Sequence, residues 1–83
     1  MTARKIVTVC YYAALREAAG RSAEALESAA VTAADLYDEV AAMHAFPFDR
    51  SVLRVVVNDT IVSWSQEVKA GDTVVFLAPF AGG

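Results

Sequence analysis

Eighty-three residues, 57% of them hydrophobic, make one small domain and leave no room for a second. Ten acidic against seven basic residues give a net charge of −3, and with a pI near 4.9 they exclude nucleic acid and anionic membrane as partners, because phosphate binding needs clustered Lys and Arg. A single cysteine, Cys10, excludes an internal disulfide framework and a multi-cysteine metal site, and a reducing, cytoplasmic setting fits it best.

The mean hydropathy of +0.41 comes largely from alanine and valine. No apolar run approaches the roughly 20 residues of a membrane-spanning helix. Arg4-Lys5 followed by IVTVCYYAAL has the outline of a short secretory leader. Three β-branched apolar residues and Thr8 suit a strand better than a helical leader, so no cleaved leader is expected.

Lys5 to Tyr12 reads as a strand with Ile6, Cys10 and Tyr12 on one face and Val7, Val9 and Tyr11 on the other. Apolar residues on both faces predict a central strand covered on both sides. Ala13 to Ala19 is a short helical segment, and Gly20 is placed to end it in a left-handed conformation. Glu24 to Ser28 alternates weakly and reads as an edge strand.

The main helix is predicted over Ala33–His44. Thr32-Ala33-Ala34-Asp35 resembles a capping box, and Leu36, Val40 and Met43 recur on one face while Asp35, Asp38 and Glu39 stay in water. Phe46-Pro47 ends it, since the residue before a proline resists the helical region. Leu53 to Val57 then turns at Asn58-Asp59 into Ile61-Val62, and Lys69 to Asp72 turns into a last strand, Thr73 to Leu77. This element order is α+β, with one helix packed across one sheet. The expected core is Ile6, Val9, Leu15, Leu36, Val40, Val55, Val57, Val74 and Phe76.

Few side chains offer chemistry. His44 is the only histidine and has neither a nucleophile motif nor a second soft ligand beside it, so it reads as structural and no metal site is expected. Cys10, alternating with Ile6 and Tyr12, reads as a buried small hydrophobe. Trp64 is either a surface aromatic or a lid on the core.

What stands out is the ending, Ala78-Pro79-Phe80-Ala81-Gly82-Gly83. Frayed termini are usually polar; this one is apolar and closes on two glycines. Ordering such a segment costs about 1–2 kcal/mol per residue. Burying Phe80 returns about 1.5–3 kcal/mol, and Pro79 lowers the entropy left to lose. Paired glycines pass through a slot too narrow for a Cβ and leave the last carbonyl unhindered. A terminal carboxylate is ionised at neutral pH and is a poor electrophile. It therefore serves as a handle that another protein must activate, most simply as an acyl-adenylate made from ATP.

Three segments, YYAALREAAG, VVVNDTIV and KAGDTVVFLAPFAGG, together with the helix between them, resemble the ubiquitin-like sulfur carriers of the MoaD/ThiS family, most of all the small subunits of molybdopterin synthase. The resemblance covers essentially the whole chain and implies a β-grasp fold. It further implies that Gly83 is adenylated by an E1-like activating enzyme, converted to a thiocarboxylate by a sulfur donor protein, and inserted into the large synthase subunit. There it would give sulfur to cyclic pyranopterin monophosphate, in an assembly of two small and two large subunits. No cofactor bound to the chain itself is implied. Gly82, Ala81, Phe80 and Pro79, with Phe76 and Tyr11, are the residues expected at the partner interface. The family often carries Pro-Pro before an aliphatic residue where this chain has Ala78-Pro79-Phe80. Carriers for thiamin thiazole, tRNA thiolation or cysteine synthesis share the same ending. So do ubiquitin-like modifiers joined to lysines through the last glycine.

Overall fold

The computed structural model describes residues 4–78. Five strands form one mixed sheet: β1 (Lys5–Tyr11), β2 (Ala23–Ser28), β3 (Arg54–Val57), β4 (Thr60–Val62) and β5 (Thr73–Leu77). Their spatial order is β2-β1-β5-β3-β4. β5 runs parallel to β1, and every other neighbouring pair is antiparallel. Both β1 and β5 are interior strands, β1 as the sequence predicts.

Two helices accompany the sheet, α1 (Ala13–Ala19) and α2 (Ala33–His44). Gly20 ends α1 at φ 75°, its N–H bonded to the Arg16 carbonyl. At the start of α2 the Thr32 hydroxyl accepts from the Asp35 N–H, and the Asp35 carboxylate accepts from the Thr32 N–H. The shorter Asp thus closes the reciprocal box that Glu or Gln usually makes. The next two orphan amides of α2, Ala33 and Ala34, donate to the carbonyls of Gln66 and Trp64 at 2.9 Å, so the loop before β5 is stitched onto the helix end. α2 stops at Ala45, a non-glycine residue in the left-handed region at φ 55°, just ahead of Phe46-Pro47.

Turn chemistry fixes the remaining register. Asn58 and Asp59 both have positive φ, 49° and 71°, as a two-residue hairpin of right-handed twist requires. Asn58 then reaches across: its Nδ2 donates to Asp72, and its Oδ1 accepts from the Thr73 N–H at 3.0 Å. The β3–β4 hairpin is thereby pinned to the entry of β5.

The core forms between α2 and one face of the sheet. It contains Val9, Leu15, Leu36, Val40, Val55, Val57, Val74 and Phe76 as expected, joined by Val7, Tyr11, Tyr37, Leu53 and Val68. Ile6 departs from expectation, with 52% of its surface exposed. It shares a face with Thr8 and Cys10, and among the described residues no helix covers that face. Double coverage of β1 is therefore corrected to single coverage. Alternation distinguishes two faces of a strand but does not say how many of them receive a helix. Met43, expected on the buried stripe of α2, is also exposed, and Glu39, expected in water, is half buried.

Candidate functional site

The site is built outward from β5, which delivers the chain to its C-terminal segment. Phe76 is the anchor. Fully buried, it stacks on Trp64 with ring centroids 5.8 Å apart and meets Tyr37 edge-on at 5.2 Å. Such pairs add about 0.5–1.5 kcal/mol beyond area burial. Trp64 is the lid on this cluster, with the Arg50 guanidinium 5.8 Å over its ring. Ala78, still buried, is the last described residue. Pro79, Phe80, Ala81, Gly82 and Gly83 lie outside the described residues.

Around this root the two faces of the sheet differ sharply. On the covered side, Tyr11 pairs with Phe76 across the parallel β1–β5 ladder, and both have 0% exposure. Neither can line a partner interface, because each is spent in the core. The surface at that position belongs to their neighbours on the uncovered face, Tyr12 (53% exposed) and the half-buried Leu77.

That face carries a feature spanning the whole sheet. The ladders put Ala23 opposite Cys10, Cys10 opposite Val75, Val75 opposite Val56, and Val56 opposite Ile61. All five are apolar and none is buried; Ile61 is 69% exposed. Cys10, expected in the core, is instead a half-exposed member of this row. Arg54, opposite Leu77, is the charged residue beside the root. Sequence alternation held the signal for this row, since positions 6, 10, 12, 75 and 77 are apolar and out of phase with the core. Its assembly across five strands needs the register, which sequence does not supply.

A polar clasp closes the same end of the molecule on the covered side. Glu24 of β2 accepts from the Tyr11 hydroxyl at 2.5 Å and from His44 Nε2 at 2.6 Å, with Arg21 3.5 Å away. A carboxylate has no proton to give, so the imidazole is the donor. The His44 ring stacks on Phe46 and meets Tyr11 edge-on. His44 is thus structural, as its solitary occurrence suggests. Burial pushes the Glu24 carboxyl up, but hydrogen bonds from Tyr11 and His44 and the nearby cations outweigh it, leaving its pKa below the ordinary value. Burial first, and the bond to Glu24 second, push the Tyr11 hydroxyl well above its ordinary range.

Among the described residues no group of three or more His, Cys, Asp or Glu side chains is arranged to hold a metal, and no helix is long and apolar enough to cross a membrane. A covered core and an apolar open face are features of several kinds of domain.

Comparison with known proteins bears on which kind. The family model for the ThiS family matches residues 9–83. No curated protein matches the sequence. Among solved structures, a Pyrococcus furiosus protein named provisionally as molybdopterin converting factor, subunit 1, is 29% identical, with 87% of this chain and 94% of that one aligned at a TM-score of 0.72. Small archaeal modifier protein 1 from Methanosarcina acetivorans aligns over 98% of this chain and 99% of its own at 19% identity and a TM-score of 0.76. The Caldiarchaeum subterraneum ubiquitin aligns over 98% and 100% at 18% identity and 0.65. These likenesses establish the fold as ubiquitin-like β-grasp, the architecture implied by the family resemblance and consistent with the α+β element order. Matched by the family model over residues 9–83, the chain belongs to the ThiS family, the ThiS/MoaD group of ubiquitin-like sulfur carriers.

Proposed function

We propose that this protein is the sulfur-carrier subunit of a molybdopterin synthase, acting in the cytoplasm through Gly83. The observation that carries the reading is membership of a sulfur-carrier family whose matched region runs to Gly82-Gly83. The likeness to a molybdopterin converting factor subunit at 29% identity supports the specific pathway.

The chemistry follows from the carboxylate. Ionised, it resists nucleophiles, so an activating enzyme joins it to the α-phosphate of ATP and pyrophosphate departs. Sulfide-level sulfur, supplied as hydrosulfide by a donor protein, then attacks the acyl carbon; AMP leaves, the proton passes to solvent, and a thiocarboxylate remains on Gly83. Pro79 and Phe80 carry this group into the large synthase subunit, where the sulfur passes to cyclic pyranopterin monophosphate. The domain contributes presentation rather than catalysis. The aromatic anchor under Phe76 holds the root still, and the open face from Ile61 to Cys10 offers the apolar area on which activating enzyme and large subunit dock in turn.

Intact-mass spectrometry after incubation with activating enzyme, ATP and a sulfur donor tests the reading. The expected result is replacement of one oxygen by sulfur on the C-terminal fragment, absent when Gly83 is deleted. Transfer to the pyranopterin with the large subunit present then fixes the pathway. Sulfur on Cys10 with an unmodified C-terminal fragment would refute the mechanism. A second reading, a modifier joined to lysines through Gly83, draws on the likeness to archaeal modifier proteins and an archaeal ubiquitin. Activation that yields protein conjugates on a denaturing gel, rather than a free thiocarboxylate, would favour it.

A further inference from the structure

The outer edge of β2 is unoccupied among the described residues, and its chemistry is unusual for an edge. The Tyr11 N–H donates to the Ser22 carbonyl at 2.8 Å. Backbone direction alternates along an antiparallel strand, so Glu24, Leu26 and Ser28 turn their amides and carbonyls inward to β1. Ala23, Ala25 and Glu27 turn theirs outward. The Arg4 guanidinium sits 3.4 Å from the Glu27 carbonyl, but no described group bonds to the outward N–H and C=O of Ala23 or Ala25.

Natural edges are blunted by lysine, proline, a bulge or an inward-pointing charge. β2 reads Ala-Glu-Ala-Leu-Glu-Ser and has no lysine or proline, and its ladder to β1 runs unbroken over six pairs. Its one inward charge, Glu24, already accepts hydrogen bonds from His44 and Tyr11. The outward residues at its centre carry only methyl groups, so a second backbone can approach. The other edge strand, β4, has three residues and offers far less.

We propose that β2 pairs antiparallel with β2 of a second copy of this chain about a two-fold axis at Ala25, joining two five-stranded sheets into one of ten strands. The sequence is self-complementary in that register. Ala25 faces its own symmetry mate, and Ala23 faces Glu27 of the second copy. Arg21, in the bend before β2, stays 3.5 Å from Glu24 on the opposite face and is not needed for the pairing. Because the same edge serves both copies, the contact closes at two, whereas β2 against β4 would build an open filament. β5 lies two strands in from this edge, so the contact leaves both open faces accessible. The inference does not depend on which acceptor Gly83 serves.

Sedimentation velocity from about 10 μM to about 1 mM, a range suited to a weak interface, tests it on the full chain. Wild type is expected to rise from 8.8 kDa toward twice that mass. Ala25→Lys sets like charges face to face at the axis and is expected to stay at 8.8 kDa throughout, with an unchanged melting temperature. An equimolar mixture of Ala25→Lys and Ala25→Glu is expected to associate again. Ala25→Pro, which loses an outward N–H and no internal ladder bond, is a second probe should the lysine variant misfold. Wild type that remains at 8.8 kDa at the highest concentration overturns the proposal. So does association of Ala25→Lys equal to wild type, and so does a charge-matched mixture that stays apart.

Discussion

Replacing Glu24 by glutamine tests the clasp that ties the edge strand, the C-terminal end of α2 and the root of the C-terminal segment together. The variant is isosteric, so packing is retained and only charge and donor–acceptor matching change. Wild-type Glu24 accepts two short hydrogen bonds, from the Tyr11 hydroxyl and His44 Nε2, at side-chain exposures of 10% for Glu24 and 13% for His44. Solvent screening is therefore weak. Hydrogen bonds to a charged partner contribute about 1.5–3 kcal/mol each. Both donors meet the same oxygen, Oε2, and a glutamine carbonyl in its place still accepts both, but each bond falls from charged to neutral strength by about 1 kcal/mol, so the expected loss is about 1.5–3 kcal/mol. The Arg21 contact, on a side chain 57% exposed, adds little. In a domain of this size each kcal/mol moves the melting temperature by about 4–8 °C, which predicts a drop of at least 6 °C at neutral pH. Urea denaturation of Glu24→Gln, His44→Gln and the double variant separates the pair from its surroundings, and a coupling of about 1–3 kcal/mol is expected. Coupling near zero, or a Glu24→Gln variant that melts with wild type, would show that the clasp is incidental to stability.

Two further outcomes follow from the same structure. Because the folded Glu24 pKa lies below the unfolded one, its contribution is present above the unfolded value of about 4.3 and is lost as pH falls through that range. The raised Tyr11 pKa acts in the opposite direction: its contribution is intact below about pH 10 and is lost as pH rises beyond that. Urea midpoints measured from pH 7 to 3 and from 7 to 11 should show both limbs, and Tyr11→Phe should flatten the alkaline one. Gly20→Ala should cost roughly 1 kcal/mol from backbone strain alone, since φ is 75° and nothing lies within 4 Å of the added Cβ. A loss above about 3 kcal/mol would point to a contact the geometry does not contain.

Local structure and family membership were legible in the order of the residues. Thr32 and Asp35 announce the start of α2 because capping is settled within four residues. Asn58-Asp59, and Gly71 at φ 85° in the turn before β5, announce their turns because positive φ is a property of a single residue. The apolar period of β5 marks an interior strand, and three motif segments marked the family. The pairing of faces was settled only by packing. Residues at 6 and 10 and residues at 7, 9 and 11 alternate with nearly equal hydrophobicity, so nothing local says which set meets α2. Packing gave the helix to Val7, Val9 and Tyr11 and left Ile6 and Cys10 outside. The same choice moved Tyr11 and Phe76 from the expected interface into the core and passed that surface to Tyr12 and Leu77. The five-strand apolar row and the Tyr11–Glu24–His44 clasp were equally illegible beforehand. Each joins residues far apart in the chain, and which residues meet across strands is fixed by register and helix crossing, quantities that exist only once the sheet has formed.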